Sequence, residues 1–218
     1  MNRAERHQVA PSRAELQAQA KRRRTILIAS FALLALVIVV AVALGSRVPK
    51  AASDAPISAQ LTVGQKAPAF AVSTTGGPFD LAQAAGKPTL LEVFATWCPH
   101  CQRETSVLNG LYATYKDSIN LVAVSGSPYG MDSSGPESQA DVVAFMTKFN
   151  VHYPVAFDPN LSVAKSYLQG GFPTVVLIGR DGTVQAIRDG EIPVADLKAA
   201  FDASLAGKKP DAKMGAKG

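Results

Sequence analysis

The sequence predicts an α/β domain built on a mixed central sheet flanked by helices, preceded by one membrane-spanning helix. Three observations carry this: a long uncharged apolar run near the N-terminus, strand–helix–strand alternation after it, and a closing strand–turn–strand hairpin. The chain has 218 residues, 47% apolar and 18% charged, enough for one well-buried core and unlike a disordered or fibrous composition. The net charge is +5, but the basic excess lies in residues 1–45, where seven Lys/Arg face two Glu. The remainder carries fifteen basic and fifteen acidic residues, so the folded part has no electrostatic footprint for nucleic acid.

Residues 26–44 are apolar except for Ser30. As a helix they span roughly 28 Å, close to the ~30 Å hydrocarbon core of a bilayer. Lys21-Arg22-Arg23-Arg24 precedes them, which keeps the N-terminus in the cytoplasm and places the chain after Ser46 outside. The competing reading is a cleaved signal peptide ending at Ala41-Val42-Ala43, although the run exceeds the usual length of such a core. The expected organisation is a basic cytoplasmic tail (1–24), a transmembrane anchor (25–45), a linker (46–61), a folded domain (62–206) and a flexible end (207–218). The domain then faces an oxidising or redox-managed compartment.

Residues 89–95 (T-L-L-E-V-F-A) read as a strand buried on both faces. A helix comes next, from about Cys98-Pro99, with Val107, Leu108, Leu111, Tyr112 and Tyr115 on one face. Residues 121–125 form a second strand and 126–136 (G-S-P-Y-G-M-D-S-S-G-P) a loop. Val142, Phe145, Met146 and Phe149 mark a core-packed helix. A short strand at 153–157 and a short helix near 162–168 come after it. Strand 174–178, the turn Arg180-Asp181-Gly182 and strand 183–189 make the hairpin. Leu197, Ala200, Phe201 and Leu205 mark the last helix, with Gly207 at its end.

The chain's two cysteines stand in Trp97-Cys98-Pro99-His100-Cys101, at the strand-to-helix junction. The free N–H groups and partial positive charge of a helix N-terminus stabilise a thiolate there. Cys98 is then the exposed nucleophile, and Cys101, one turn deeper, resolves the mixed disulfide. His100 adds positive charge or a hydrogen bond beside the thiolate and makes the disulfide a stronger oxidant. A purely structural crosslink is a poor alternative: a four-residue loop adds about 2 kcal/mol in the entropy model, against roughly 4.5 for a loop near 90 residues. A zinc-type site would need a distant ligand besides Cys98, Cys101 and His100, and His152 reads as a loop or strand-end residue. Glu92 lies in the buried strand, six residues before Cys98. If it sits beneath the pair, it exchanges a proton with Cys101; the alternative is a glutamate facing solvent at a strand end. No G-x-G-x-x-G comes after a strand, so electrons come from or go to another protein and no cofactor is expected beyond the redox-active Cys98–Cys101 disulfide.

The W-C-x-x-C motif and the Phe172-Pro173-Thr174 segment before the hairpin resemble the thioredoxin fold over residues 62–206. Val63-Gly64-x-x-Ala67-Pro68-x-Phe70, Gly86-Lys87-Pro88 and Ala95-Thr96-Trp97-Cys98 resemble, more narrowly, the membrane-anchored TlpA/ResA/CcmG-like branch of the AhpC/TSA–redoxin grouping. The resemblance implies a thiol–disulfide oxidoreductase with an insertion over residues 122–155 and a membrane protein that resets the cysteine pair. It implies Cys98 as nucleophile, Cys101 as resolving cysteine, Glu92 as buried acid and Pro173 as a cis-proline. Trp97, Phe172, Pro173 and Thr174 become the surface that binds protein thiol or disulfide substrates, with apocytochrome c as one such substrate. Pro99-His100 departs from the branch and is typical of DsbA-type oxidases, which leaves open whether the chain donates disulfides or reduces them. The 71 residues between Cys101 and Pro173 are too few for DsbA's helical domain. A peroxiredoxin would need P-x-x-x-T/S-x-x-C, where Leu91 and Ala95 stand here. A copper chaperone of the Sco kind would space its cysteines one residue wider.

Overall fold

Six consecutive buried residues make β3 (Thr89–Phe94) an interior strand of the sheet. A computed structural model describes residues 60–215. The expected tail at 1–24, the anchor at 25–45 and nearly all of the linker lie outside the described residues. Among the described residues no helix is long and apolar enough to cross a membrane.

Seven strands form one sheet: β1 (Ala71–Thr74), β2 (Gly77–Asp80), β3, β4 (Asn120–Ser125), β5 (Val155–Phe157), β6 (Thr174–Ile178) and β7 (Val184–Asp189). Their order is β2-β1-β5-β4-β3-β6-β7. β3 pairs parallel with β4 and antiparallel with β6, and β4 pairs parallel with β5, so the sheet is mixed as the sequence predicts. Four helices are described: α1 (Pro99–Tyr115), α2 (Gln139–Lys148), α3 (Ser162–Tyr167) and α4 (Val194–Leu205).

Alternation along β3 divides the core between the two faces of the sheet. Leu90 and Phe94 pack with Leu108, Leu111 and Tyr115 of α1 and Leu197 and Phe201 of α4. Leu91 and Val93 pack with Val122, Val124, Val176 and Tyr167 on the other face. Glu92 shares the parity of Leu90 and Phe94 and therefore lies on the α1 side.

Local signals set the helix ends. Ser138 caps α2 through a reciprocal box with Asp141. After α4, Gly207 takes φ +68°, and Lys208 N–H donates to Ala203 O at 2.8 Å, closing a Schellman-type end.

Three expectations need correction. The β1–β2 hairpin has no counterpart among the strands the sequence predicts, because it is a short, half-exposed edge with Pro78 inside it and lacks a continuous apolar run. The domain begins at or before Leu61, which is buried in the same apolar cluster as Val176, Ile178 and Val184 of β6 and β7. The supposedly flexible end runs back along β7: Ile187 N–H donates to Ala212 O at 2.9 Å, Arg188 Nη1 donates to Met214 O, and Met214 is buried. This tail covers the edge strand of the sheet.

Candidate active site

The carboxyl end of β3 turns through Ala95-Thr96-Trp97 into α1, and this turn sets both cysteines. Cys98 is the N-cap residue, with extended backbone, and Pro99 opens the helix, where a missing N–H costs nothing. No side chain caps α1, so its first N–H groups stay free for a thiolate. Both cysteines are free thiols. Cys98 is 5% exposed and Cys101 1%, so the expected exposed nucleophile is in fact largely covered. The cover includes the loop before β6: Cys98 Sγ lies 3.5 Å from Phe172 O and donates to it. Cys101 is the deeper of the two, as one helical turn requires.

Two carboxyl groups lie buried beneath the pair. Glu92, from β3, is held well above the usual carboxylate range by burial, with the neighbouring Glu104 adding to the effect. It does not face solvent, so the buried alternative is the one realised. Burial pushes the Cys101 thiol far up, and the charge of Glu92 pushes it further. Glu104, on α1, is 1% exposed and pushed up to about 7 by burial, against the opposing N–H of Ile192. Its Oε2 accepts that N–H at 3.2 Å, while its Oε1 is buried without a partner. The helix and this strand thus bury two acids that resist ionisation, Glu92 beside Cys101 and Glu104 beside Glu92.

The Phe172–Pro173 peptide is cis. Pro173 O accepts from Gly190 N–H at 2.8 Å, tying the loop to the end of β7. Thr174 is fully buried and its hydroxyl bonds back to Gln169 and Gly171, so this side chain shapes the loop. Trp97 and Phe172 are half-buried and meet edge to face at 6.0 Å. A shallow groove beside them is lined by His100, Phe172, Arg188, Asp189 and Glu191. His100 turns into this groove, and its Nδ1 lies 2.6 Å from Glu191 Oε1 rather than on Cys98.

A model of the redoxin family matches residues 62–201. The chain belongs to the redoxin family. Among curated relatives, the thiol-disulfide oxidoreductase ResA of Geobacillus thermodenitrificans is 31% identical over 140 residues, covering 63% of this chain and 75% of the relative. The thioredoxin-like protein YneN of Bacillus subtilis is 29% identical over 140 residues, covering 64% and 78%. A crystal structure from Chlorobium tepidum, described as a putative thiol:disulfide interchange protein DsbE, superposes with a TM-score of 0.58 at 29% identity, covering 66% of this chain and 99% of that one. This redoxin is therefore of the TlpA/ResA/CcmG-like kind within the thioredoxin superfamily, and its enzyme class is thiol–disulfide oxidoreductase.

The fold brings Cys98, Cys101, Glu92, Trp97, Phe172 and Pro173 of this redoxin to one end of the sheet. His152 stays away from them, and its backbone N–H donates to Asn109 Oδ1. Among the described residues no group of three His, Cys, Asp or Glu side chains is arranged to hold a metal. Sequence reasoning missed three features. Glu104 was legible, since the buried face of α1 extended backward by helical spacing runs Leu111, Leu108, Glu104, Cys101. Glu191 and Arg103 were not, because no pattern joins positions 88 residues apart. The polar clamp on Thr96 and Trp97 was also hidden: Glu137 accepts from Thr96 Oγ1 and Ser125 Oγ, and Ser127 Oγ accepts from Trp97 Nε1.

Proposed function

We propose that this redoxin is a membrane-anchored reductant of protein disulfides on the extracytoplasmic face. Cys98, as thiolate, attacks a substrate disulfide. The substrate S–S bond breaks, a mixed disulfide forms at Cys98, and one substrate sulfur leaves and takes up a proton. Glu92 in its ionised form, which burial makes a stronger base than an ordinary carboxylate, then takes the Cys101 proton, and the Cys101 sulfur attacks the Cys98 sulfur. The second substrate sulfur leaves, and two electrons have passed from the pair to the substrate. The substrate peptide lies extended along the Phe172 backbone, where the free enzyme parks its own Cys98 thiol. A second protein in the membrane restores the dithiol. The apolar run at 25–45 supports anchoring, and the branch resemblance supports apocytochrome c, through its C-x-x-C-H haem site, as substrate.

The burial of Cys101 with Glu92 and Glu104 carries the direction. Burial and the neighbouring Glu92 disfavour a thiolate at Cys101, and a dithiol that gains little from a thiolate there gives up electrons readily. The second reading, a disulfide donor, is favoured by Pro99-His100. The reduction potential of the full-length chain decides between them. A value near about −270 mV or below is expected, whereas one near about −120 mV makes the protein a donor. In the same preparation, Cys98→Ser abolishes insulin-disulfide exchange; retained exchange would remove Cys98 from the chemistry.

A further inference from the structure

Glu191 lies just beyond β7 and meets the first turn of α1. Its Oε1 lies 2.6 Å from His100 Nδ1, 2.9 Å from Arg103 Nε and 2.5 Å from Arg103 Nη2. One carboxylate oxygen therefore faces both basic side chains of the helix end that carries Cys98. Arg103 Nη2 is also 2.8 Å from His100 Nδ1. That nitrogen either donates to Glu191 or accepts from Arg103, and in both cases it is turned away from Cys98. The Cys98 thiol has Phe172 O as its partner instead. All three side chains of the cluster are partly exposed, so nothing in the core depends on it.

We propose that Glu191 is a positioning residue that sets the redox poise of the Cys98–Cys101 pair by turning His100 away from the Cys98 thiolate and offsetting the charge of Arg103. The assignment rests on the reading of Cys98 as the exchanging thiol. Cations at a helix N-terminus stabilise a thiolate, and a stabilised thiolate makes the disulfide more oxidising. The Arg103 charge is close enough to be felt at Cys98. Glu191 stays ionised beside Arg103 and His100, which hold its carboxyl below the usual range. A dipeptide that by itself marks a strong oxidant is thereby muted by a residue 91 positions further along the chain.

The test is the equilibrium between the full-length chain and glutathione: protein disulfide plus two glutathione thiols gives protein dithiol plus glutathione disulfide. Glu191→Gln is expected to raise this constant about tenfold, equivalent to about 30 mV. Glu191→Asp keeps the carboxylate and is expected to stay near wild type. Arg103→Gln leaves the carboxylate and removes the stronger cation, so it is expected to lower the constant. Mere loosening of the loop would move E191Q and R103Q in the same direction. An unchanged or lowered constant in E191Q, or a parallel shift in R103Q, overturns the assignment. A wild-type chain that does not equilibrate with glutathione overturns the exchange reading itself, a result distinguishable from an exchanging wild type with a silent E191Q.

Discussion

Glu104 shows what one buried side chain does to the whole chain. Its carboxyl moves from an ordinary 4.5 to about 7 because it is desolvated and only one of its oxygens is bonded. An acid raised in the folded state holds its proton longer than in the unfolded chain. Folding stability is then complete below about pH 4.5 and falls as pH rises towards 7, by on the order of 3 kcal/mol. Glu92 acts with the same sign. The protein is expected to be more stable at pH 5 than at pH 8 in urea unfolding, and Glu104→Gln to remove a large part of that slope. A flat wild-type profile, or an undiminished slope in E104Q, would show that the carboxyl is not desolvated.

The 126–136 segment reads as a loop from its composition, yet it is built like an element. Tyr129 and Pro136 form a bridge, Gly130 N–H donates to Gly135 O, and Glu137 N–H donates to Pro128 O. Ser127 Oγ accepts from both Trp97 Nε1 and the Tyr129 N–H and donates to Tyr129 O. One hydroxyl thus links the segment to the residue before the nucleophile. Ser127→Ala strands the indole N–H and is expected to cost about 1 kcal/mol. Trp97 is the only tryptophan in the chain, so its fluorescence reports the change directly. An unaltered emission spectrum and stability would show that the hydroxyl does not hold the ring. Burial also decides which elements of this chain are legible in its sequence. Strand β6 emerges at its predicted bounds because it is wholly buried and apolar after Thr174. The segment around Ser127 stayed hidden because its order comes from hydrogen bonds between residues with no periodic pattern.

At the scale of the molecule, two apolar layers sandwich one sheet, and its ends are covered by chain whose composition reads as loose. Leu61 enters one layer and Met214 the other. Removing residues 208–218 uncovers β7 and the Met214 site, and is expected to lower stability by about 2 kcal/mol in urea unfolding. An unchanged midpoint would mean that the tail only rests on the surface. Sequence alone determined the α/β class, the buried strand carrying Glu92 and the helix carrying Trp97-Cys98-Pro99-His100-Cys101, because burial period and helix-end chemistry are local properties. Only the tertiary structure decided that Cys98 is covered by Phe172, that Glu104 joins Glu92 beneath Cys101, and that Glu191 answers His100 and Arg103. Those outcomes depend on which faces and chain ends meet across the sheet, and the electrostatics of a thiol are set by such neighbours as much as by its own motif.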